Sequence, residues 1–172
     1  LLTKQAMEEE INSITSQQPD IFYSPVYYRN GESLGKVNSI EFGTGKWLYM
    51  KDYLPKFSGK TVVDLGCNNA MIPLEMLRAG AKKVTAFEAN PNVARLARLN
   101  HRAFEMFENR HFELTLKEGY MNEVMNMDLS DVDAVTAFCS FYYESVENME
   151  RIARHLSQSV PLFIVQSNEN TD

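Results

Sequence analysis

The sequence predicts an α/β domain, a doubly wound and mostly parallel sheet with helices on both faces. Three observations carry that expectation. From Thr61 onward, apolar runs short enough for buried strands alternate with helical patterns. That order builds parallel sheets through right-handed crossovers. The first run, Thr61-Val62-Val63-Asp64-Leu65, breaks into Gly66-Cys67-Asn68-Asn69-Ala70, and a helical pattern follows at once. Such a bend turns free backbone N–H groups and a positive helix end toward a crevice. The second run, Lys83-Val84-Thr85-Ala86-Phe87-Glu88, ends in a carboxylate 22 residues after Gly66. A carboxylate about 20 residues on is where a βαβ unit grips a ribose through its hydroxyls.

Taken in order, residues 4–17 read as a polar helix with three glutamates at 8–10. Residues 18–45 read as irregular, with Pro19, Pro25, four glycines and the aromatics Phe22, Tyr23, Tyr27 and Tyr28. This segment cannot supply a core alone, so residues 1–45 are expected to be an extension that covers the main domain as a lid. Residues 46–56 read as a short helix with Trp47, Met50 and Leu54 on one face, and Phe57-Ser58-Gly59-Lys60 as a turn.

Strand one is expected over 61–65, with a helix over 70–79 ended by Gly80. Strand two is expected over 83–88, and the next helix over 91–106, opening on Pro91. Strand three follows at 111–117, a short helix near 120–127, strand four at 132–139, a helix over 144–157 and strand five at 160–166. The start at Leu1 and the stop after the fifth strand read as a piece of a longer protein, the domain over 46–172 being truncated there. An uncovered sheet edge at that point would be a pairing liability.

Composition narrows the function. Of 172 residues 44% are hydrophobic, enough for a sizeable core, and 23% are charged. No apolar stretch approaches the roughly 18–20 residues that cross a bilayer, and no signal-peptide pattern opens the chain. Cys67 and Cys139 are too few for a disulfide scaffold and match no metal motif. A reducing, cytoplasmic setting is expected. The net charge of −6 is unlike that of a chain gripping duplex nucleic acid through its phosphates. Lysines 36, 46, 51, 56 and 60 read as solvated surface, or as a rim drawing in an anionic substrate.

Ligands of such sheets sit beyond the carboxyl ends of the strands, where strand order reverses. Those ends carry Gly66–Ala70, Glu88–Asn90, Glu118–Met121, Cys139–Glu144 and Gln166–Asn168. Gly66 lets backbone approach a ligand closely because it lacks a Cβ. A dinucleotide fingerprint needs Gly-x-Gly-x-x-Gly, whereas this loop reads Gly66-Cys67-Asn68-Asn69-Ala70-Met71. It makes no room for a pyrophosphate, so the ligand lacks a diphosphate. Glu88 suits bidentate acceptance from two ribose hydroxyls. Asp64, buried by pattern, must be satisfied by loop N–H groups or a ligand amine. His101, His111 and His155 fall away from the carboxyl edge. The methionines at 121, 125 and 127 read as core filler.

The loop from Val62 to Ala70 resembles the first motif of the class I S-adenosylmethionine-dependent methyltransferases, many of which read Asp-x-Gly-Cys-x-x-Gly there. Glu88 matches that family's acidic ribose ligand. Glu118-Gly119-Tyr120-Met121 falls where the family flanks the adenine, with Tyr120 in place of a common Asp. Ala70 stands where Gly is usual, which tightens the methionine end of the pocket. The resemblance covers roughly residues 46–168. It implies a Rossmann-like sheet of strand order 3-2-1-4-5 and S-adenosyl-L-methionine as cofactor, held by Asp64, Gly66, Cys67, Asn68, Glu88, Ala89, Gly119, Tyr120, Met121 and Cys139. A weaker resemblance upstream, over Lys46-Trp47 to Leu54-Pro55, Gly59-Lys60-Thr61 and Arg78-Ala79-Gly80-Ala81, is to the branch acting on wobble uridine in tRNA with a carboxylated form of that cofactor.

The expected activity is methyl transfer by in-line displacement, without a metal. The loop after strand four is where the family meets its acceptor, which singles out Tyr142, Tyr143 and Glu144. Tyr27, Tyr28 and Trp47 either close over the cofactor or pack in the core. Acidity favours a small or medium-sized acceptor over a long nucleic acid, with RNA left open. The competing readings are a non-catalytic ligand sensor or scaffold on the same fold and a nicotinamide oxidoreductase.

Overall fold

The computed structural model describes residues 2–16, 18, 25–29, 32–34, 47, 51, 52 and 56–167. Its elements are α1 (Lys4–Thr15), β1 (Val26–Tyr27), β2 (Ser33–Leu34), β3 (Thr61–Leu65), α2 (Met71–Arg78), β4 (Lys83–Glu88), α3 (Pro91–Glu108), β5 (Leu114–Glu118), β6 (Ala134–Phe138), α4 (Val146–Ser159) and β7 (Phe163–Gln166). Short 3-10 turns over Met121–Asn126 and Phe141–Tyr143 flank β6.

β3 to β7 form one all-parallel sheet in the order β5-β4-β3-β6-β7. Counting only its strands, that order is 3-2-1-4-5, as the resemblance implied. The sheet is doubly wound because its central strands are apolar on both faces. Val62 packs with Leu74, Ala97 and Phe104 from α2 and α3. Its neighbours Val63 and Leu65 pack with Ile152 and Leu156 from α4. Chain order reverses between β3 and β6, which lie side by side. A crevice opens at such a point, beyond the carboxyl ends of the strands.

The amino-terminal part shares a core with α3. Met7, Ile11 and Ile14 recur at helical spacing and bury against Val26, Tyr28, Leu34, Leu96, Leu99 and Ala103. β1 and β2 pair antiparallel where the sequence read as irregular. Among the described residues no helix is long and apolar enough to cross a membrane.

Element ends moved for local reasons. β5 starts at Leu114, not 111, because Phe112 turns into the core and its N–H donates to Glu105 Oε1 at 3.0 Å. β6 stops at Phe138 because Cys139 adopts φ +53°. α4 starts at Val146, with Ser145 as its N-cap accepting from the Asn148 N–H, so Glu144 precedes the helix instead of opening it. β7 starts at Phe163, three residues after Val160 caps α4. Of the expected helix over 46–56, Trp47 is buried and helical, and its carbonyl accepts from the Lys51 N–H at 2.8 Å. Lys46, Met50, Leu54 and Pro55 lie outside the described residues, as do Phe22, Tyr23, Lys36 and Asn168. Lys60 sits at the amino end of β3 and pairs with Asp133 at 2.8 Å. It therefore lies at the edge opposite the crevice, and it is no part of an anion-attracting rim there.

Candidate functional site

Three strand ends converge at Gly66. The residue has φ +75°, and a Cβ built on it would lie 2.4 Å from Ser140 Cβ and 3.7 Å from Met121 Cε. Only glycine fits that approach and that conformation. Buried Ser140 donates its hydroxyl to the Leu65 carbonyl, which locks the loop after β6 onto the loop after β3. Asn68 and Ala70 also lie in the left-handed region, at φ +53° and +59°. Asn tolerates it, whereas Ala carries a strain of about 1–2 kcal/mol.

Glu88, at the tip of β4, points at this bend. Its Oε2 accepts from the Asn68 N–H at 2.9 Å and its Oε1 from the Asn90 N–H at 2.8 Å. Burial raises the carboxyl above the usual range, and the N–H groups of Asn90, Asn68 and Ala89 oppose that shift. Each oxygen keeps acceptor capacity for a further donor. Gly119 at the tip of β5 continues the edge, its N–H donating to the Glu88 carbonyl at 3.0 Å. Met121 beyond it is buried, while Tyr120 is 67% exposed and its N–H donates to Glu123 Oε1.

Asp64 behaves differently from the sequence expectation. It is buried, and its Oδ1 accepts from the Thr136 hydroxyl of β6 at 2.5 Å, not from loop N–H groups. Burial raises its pKa to about 7, opposed by Thr136 and reinforced by the charge of Glu88. Cys67 is buried beside them, and burial, Asp64 and Glu88 together push its thiol up. A thiol so held is a poor nucleophile. Cys139 donates its thiol to Gln166 Oε1 at 2.8 Å, tying the end of β6 to the end of β7.

Tyr142 and Tyr143 stand on the 3-10 turn that leaves β6, their rings tilted together with centroids 4.6 Å apart and exposed. The turn is tied to the crevice through Ser140, whose carbonyl accepts from the Tyr143 N–H. Glu144 accepts from Asn148 Nδ2 at 2.8 Å. Tyr27 and Tyr28 do not close over the crevice. They pack on α3, with ring centroids 4.4 Å from Phe104 and 4.8 Å from Phe107, and Trp47 joins the core. His101 sits on α3 beside the Phe112 carbonyl, and His111 lies between Glu105 and Glu113.

The sequence reading missed the residues that hold the crevice together. Asn100 of α3 is fully buried, accepting from the Tyr27 N–H at 2.8 Å and donating to the Asn69 carbonyl at 3.0 Å. Asn69 donates in turn to the Pro25 carbonyl. Gln18 Oε1 accepts from Asn90 and Asn92 beside Glu88. One signal was available: Asn100 is the lone polar residue on the apolar face marked by Leu96, Ala97, Leu99 and Ala103.

The chain has the fold of S-adenosylmethionine-dependent methyltransferases. It is similar to such an enzyme from Mesorhizobium loti, with a TM-score of 0.56, 19% identity and coverage of 74% of this chain and 54% of that one. It is similar to a Haemonchus contortus phosphoethanolamine N-methyltransferase in complex with phosphoethanolamine and S-adenosylhomocysteine, with a TM-score of 0.62, 12% identity and coverage of 98% and 34%. It is also similar to a Salinibacter ruber RNA methyltransferase in complex with S-adenosyl-L-homocysteine, with a TM-score of 0.51, 15% identity and coverage of 68% and 69%. The chain thus spans about half of the first of these structures and a third of the second. No family model and no curated protein matches the sequence.

A second carboxylate, Asp64, lies close enough for the charge of Glu88 to act on it. Among the described residues neither has an ion-pair partner.

Proposed function

We propose that this chain is an S-adenosylmethionine-dependent methyltransferase acting on a small or medium-sized acceptor. The observation that carries the reading is the aim of Glu88, whose carboxylate turns to the bend at Gly66. Glu88 would accept from the ribose hydroxyls. Gly66, Cys67 and Asn68 would pass beneath the methionine end, where the Ala70 methyl narrows the pocket. Ala89, Gly119, Tyr120 and Met121 would flank the adenine. Asp64 and Cys139 would shape the floor.

When bound, the cofactor supplies a methyl group already activated by its sulfonium. The chain's own work is then to align an acceptor and exclude water, and such alignment supplies up to ~7–11 kcal/mol in ideal cases. Tyr142, Tyr143 and Glu144 would orient the acceptor, with Glu144 taking a proton where the acceptor must lose one. In this reading residues 46–172 are the cofactor-binding domain and residues 1–45 an extension, of which Met7, Ile11, Ile14, Val26, Tyr28 and Leu34 pack with α3. Cys67 and Cys139 are thiols, not joined in a disulfide, which suits a cytoplasmic setting.

Calorimetry tests the cofactor directly. S-adenosylhomocysteine is expected to bind and NAD to fail. At 100 times its Kd the former adds about 2.7 kcal/mol of stability. Glu88→Gln, which keeps the side chain's shape, is expected to weaken binding at least tenfold. Equal affinity in wild type and variant would remove Glu88 as the ribose ligand.

A further inference from the structure

We propose that Asn100 and Gln18 are positioning residues of the cofactor site. With the backbone at Pro25 and Tyr27, they hold the two loops whose N–H groups aim Glu88, and so set cofactor affinity without touching the cofactor. The proposal rests on the cofactor reading above and deepens it.

The first hold is a closed ring of hydrogen bonds. The Tyr27 N–H donates to Asn100 Oδ1 at 2.8 Å, Asn100 Nδ2 donates to the Asn69 carbonyl at 3.0 Å, and Asn69 Nδ2 donates to the Pro25 carbonyl at 2.6 Å. Val26 completes the ring through the chain. Asn69, Asn100 and Val26 are exposed at 2%, 0% and 0%. Opening such a bond away from water strands both of its partners.

Asn69 sits between Asn68 and Ala70, at φ +53° and +59°. Non-glycine residues keep that conformation only where their surroundings hold them. The carbonyl and the side chain of Asn69 are both held from outside the loop, one by α3 and the other by the residue before β1. The ring therefore fixes the bend that presents the Asn68 N–H to Glu88 Oε2 at 2.9 Å.

The second hold lies at the other carboxylate oxygen. Glu88 Oε1 accepts from the Asn90 N–H at 2.8 Å. Gln18 Oε1 accepts from the side-chain amides of Asn90 and Asn92, each at 3.2 Å. The same Asn90 amide caps α3 through its oxygen, so Gln18 steadies the turn that carries the Asn90 N–H. Each oxygen of Glu88 is thus met by a donor whose loop is gripped from the amino-terminal side of the chain. Releasing either grip frees a donor, and the carboxylate loses its aim at the ribose.

Titration calorimetry of the full chain with S-adenosylhomocysteine tests this, with urea unfolding run on the same proteins. Asn100→Ala is expected to weaken binding about fivefold or more. Gln18→Ala changes an exposed side chain. It is expected to leave the unfolding midpoint in place and weaken binding about two- to fivefold. Gln18→Glu keeps an accepting oxygen and is expected to bind as wild type does. Ile11→Val thins the apolar contact of α1 with α3 without touching the ring. It is expected to lower the midpoint and leave affinity unchanged. Wild-type affinity in either Asn100→Ala or Gln18→Ala would overturn the proposal. So would a loss in Ile11→Val as large as in Asn100→Ala, since any loosening would then suffice. Should Asn100→Ala fail to fold, the Gln18 variants decide alone. Failure of the wild-type chain to bind would instead overturn the cofactor reading itself.

Discussion

Gly66 and Asp64 sit two residues apart and constrain the site in different ways. At Gly66 the constraint is steric. Gly66→Ala would place its Cβ 2.4 Å from Ser140 Cβ in a backbone conformation of φ +75°. The left-handed strain and the overpacking together are expected to cost about 2–4 kcal/mol in urea unfolding. An unchanged midpoint would mean that the loop at Ser140 yields. At Asp64 the constraint is electrostatic, and its sign is opposite to that of a salt-bridged carboxylate. The folded value of about 7 exceeds the ordinary 3.8. Between these limits the folded state holds a proton that the unfolded chain has lost. Stability from this group is therefore full below about pH 4, falls as pH rises toward 7, and is flat above. Asp64→Asn removes that loss. The ligand-free variant is expected to gain roughly 1–4 kcal/mol on wild type between pH 4 and pH 8. Parallel stability profiles for the two proteins would show that Asp64 is ionised throughout.

At the scale of elements, α3 links the crevice to the amino-terminal segment. Its N-cap, Asn90, accepts from the N–H groups of Asn92 and Val93, and Pro91 opens its first turn. Nearly three turns on, Asn100 satisfies the Tyr27 N–H and the Asn69 carbonyl together. Asn100→Ala leaves both unpaired inside the protein, an expected loss of about 2–4 kcal/mol. Amide exchange at Tyr27 is expected to speed up more than exchange in the central strands β3 and β6. Uniform acceleration across the chain would show that α1, β1 and β2 unfold only with the whole domain. Asn100 was visible in the sequence as a polar interruption of an apolar stripe. Its partners were not, because both are backbone groups 73 and 31 residues distant.

For the whole molecule, the two sheet edges differ. β5 presents Thr115, Lys117 and Glu118 to solvent, charges that discourage edge-to-edge pairing. β7 pairs only with β6 among the described residues, and Leu162 and Val165 beside and on it are exposed at 38% and 46%. Self-association of the 172-residue chain is expected to run through β7. Val165→Lys is expected to lower light scattering at high concentration without moving the unfolding midpoint by more than about 0.5 kcal/mol. Unchanged scattering would assign the association to another surface. The sheet and its winding were legible beforehand because strands buried on both faces must be largely apolar, and the stretches 62–65, 84–87 and 134–138 are, apart from Asp64, Thr85 and Thr136. The end of β6 was not, since nothing in the residue type of Cys139 announces φ +53°.

What the chain's order of residues determined on its own is the alternation of strands and helices, the bend at Gly66 and the carboxylate at Glu88, because periodicity and glycine placement are local properties. What only the assembled structure decided is who satisfies whom. Ser140 meets Leu65, Asn100 meets Tyr27, and Thr136 takes Asp64 in place of the loop N–H groups. Those partners are brought together by the packing of distant elements, and a buried polar group binds whichever donor the packing brings to it.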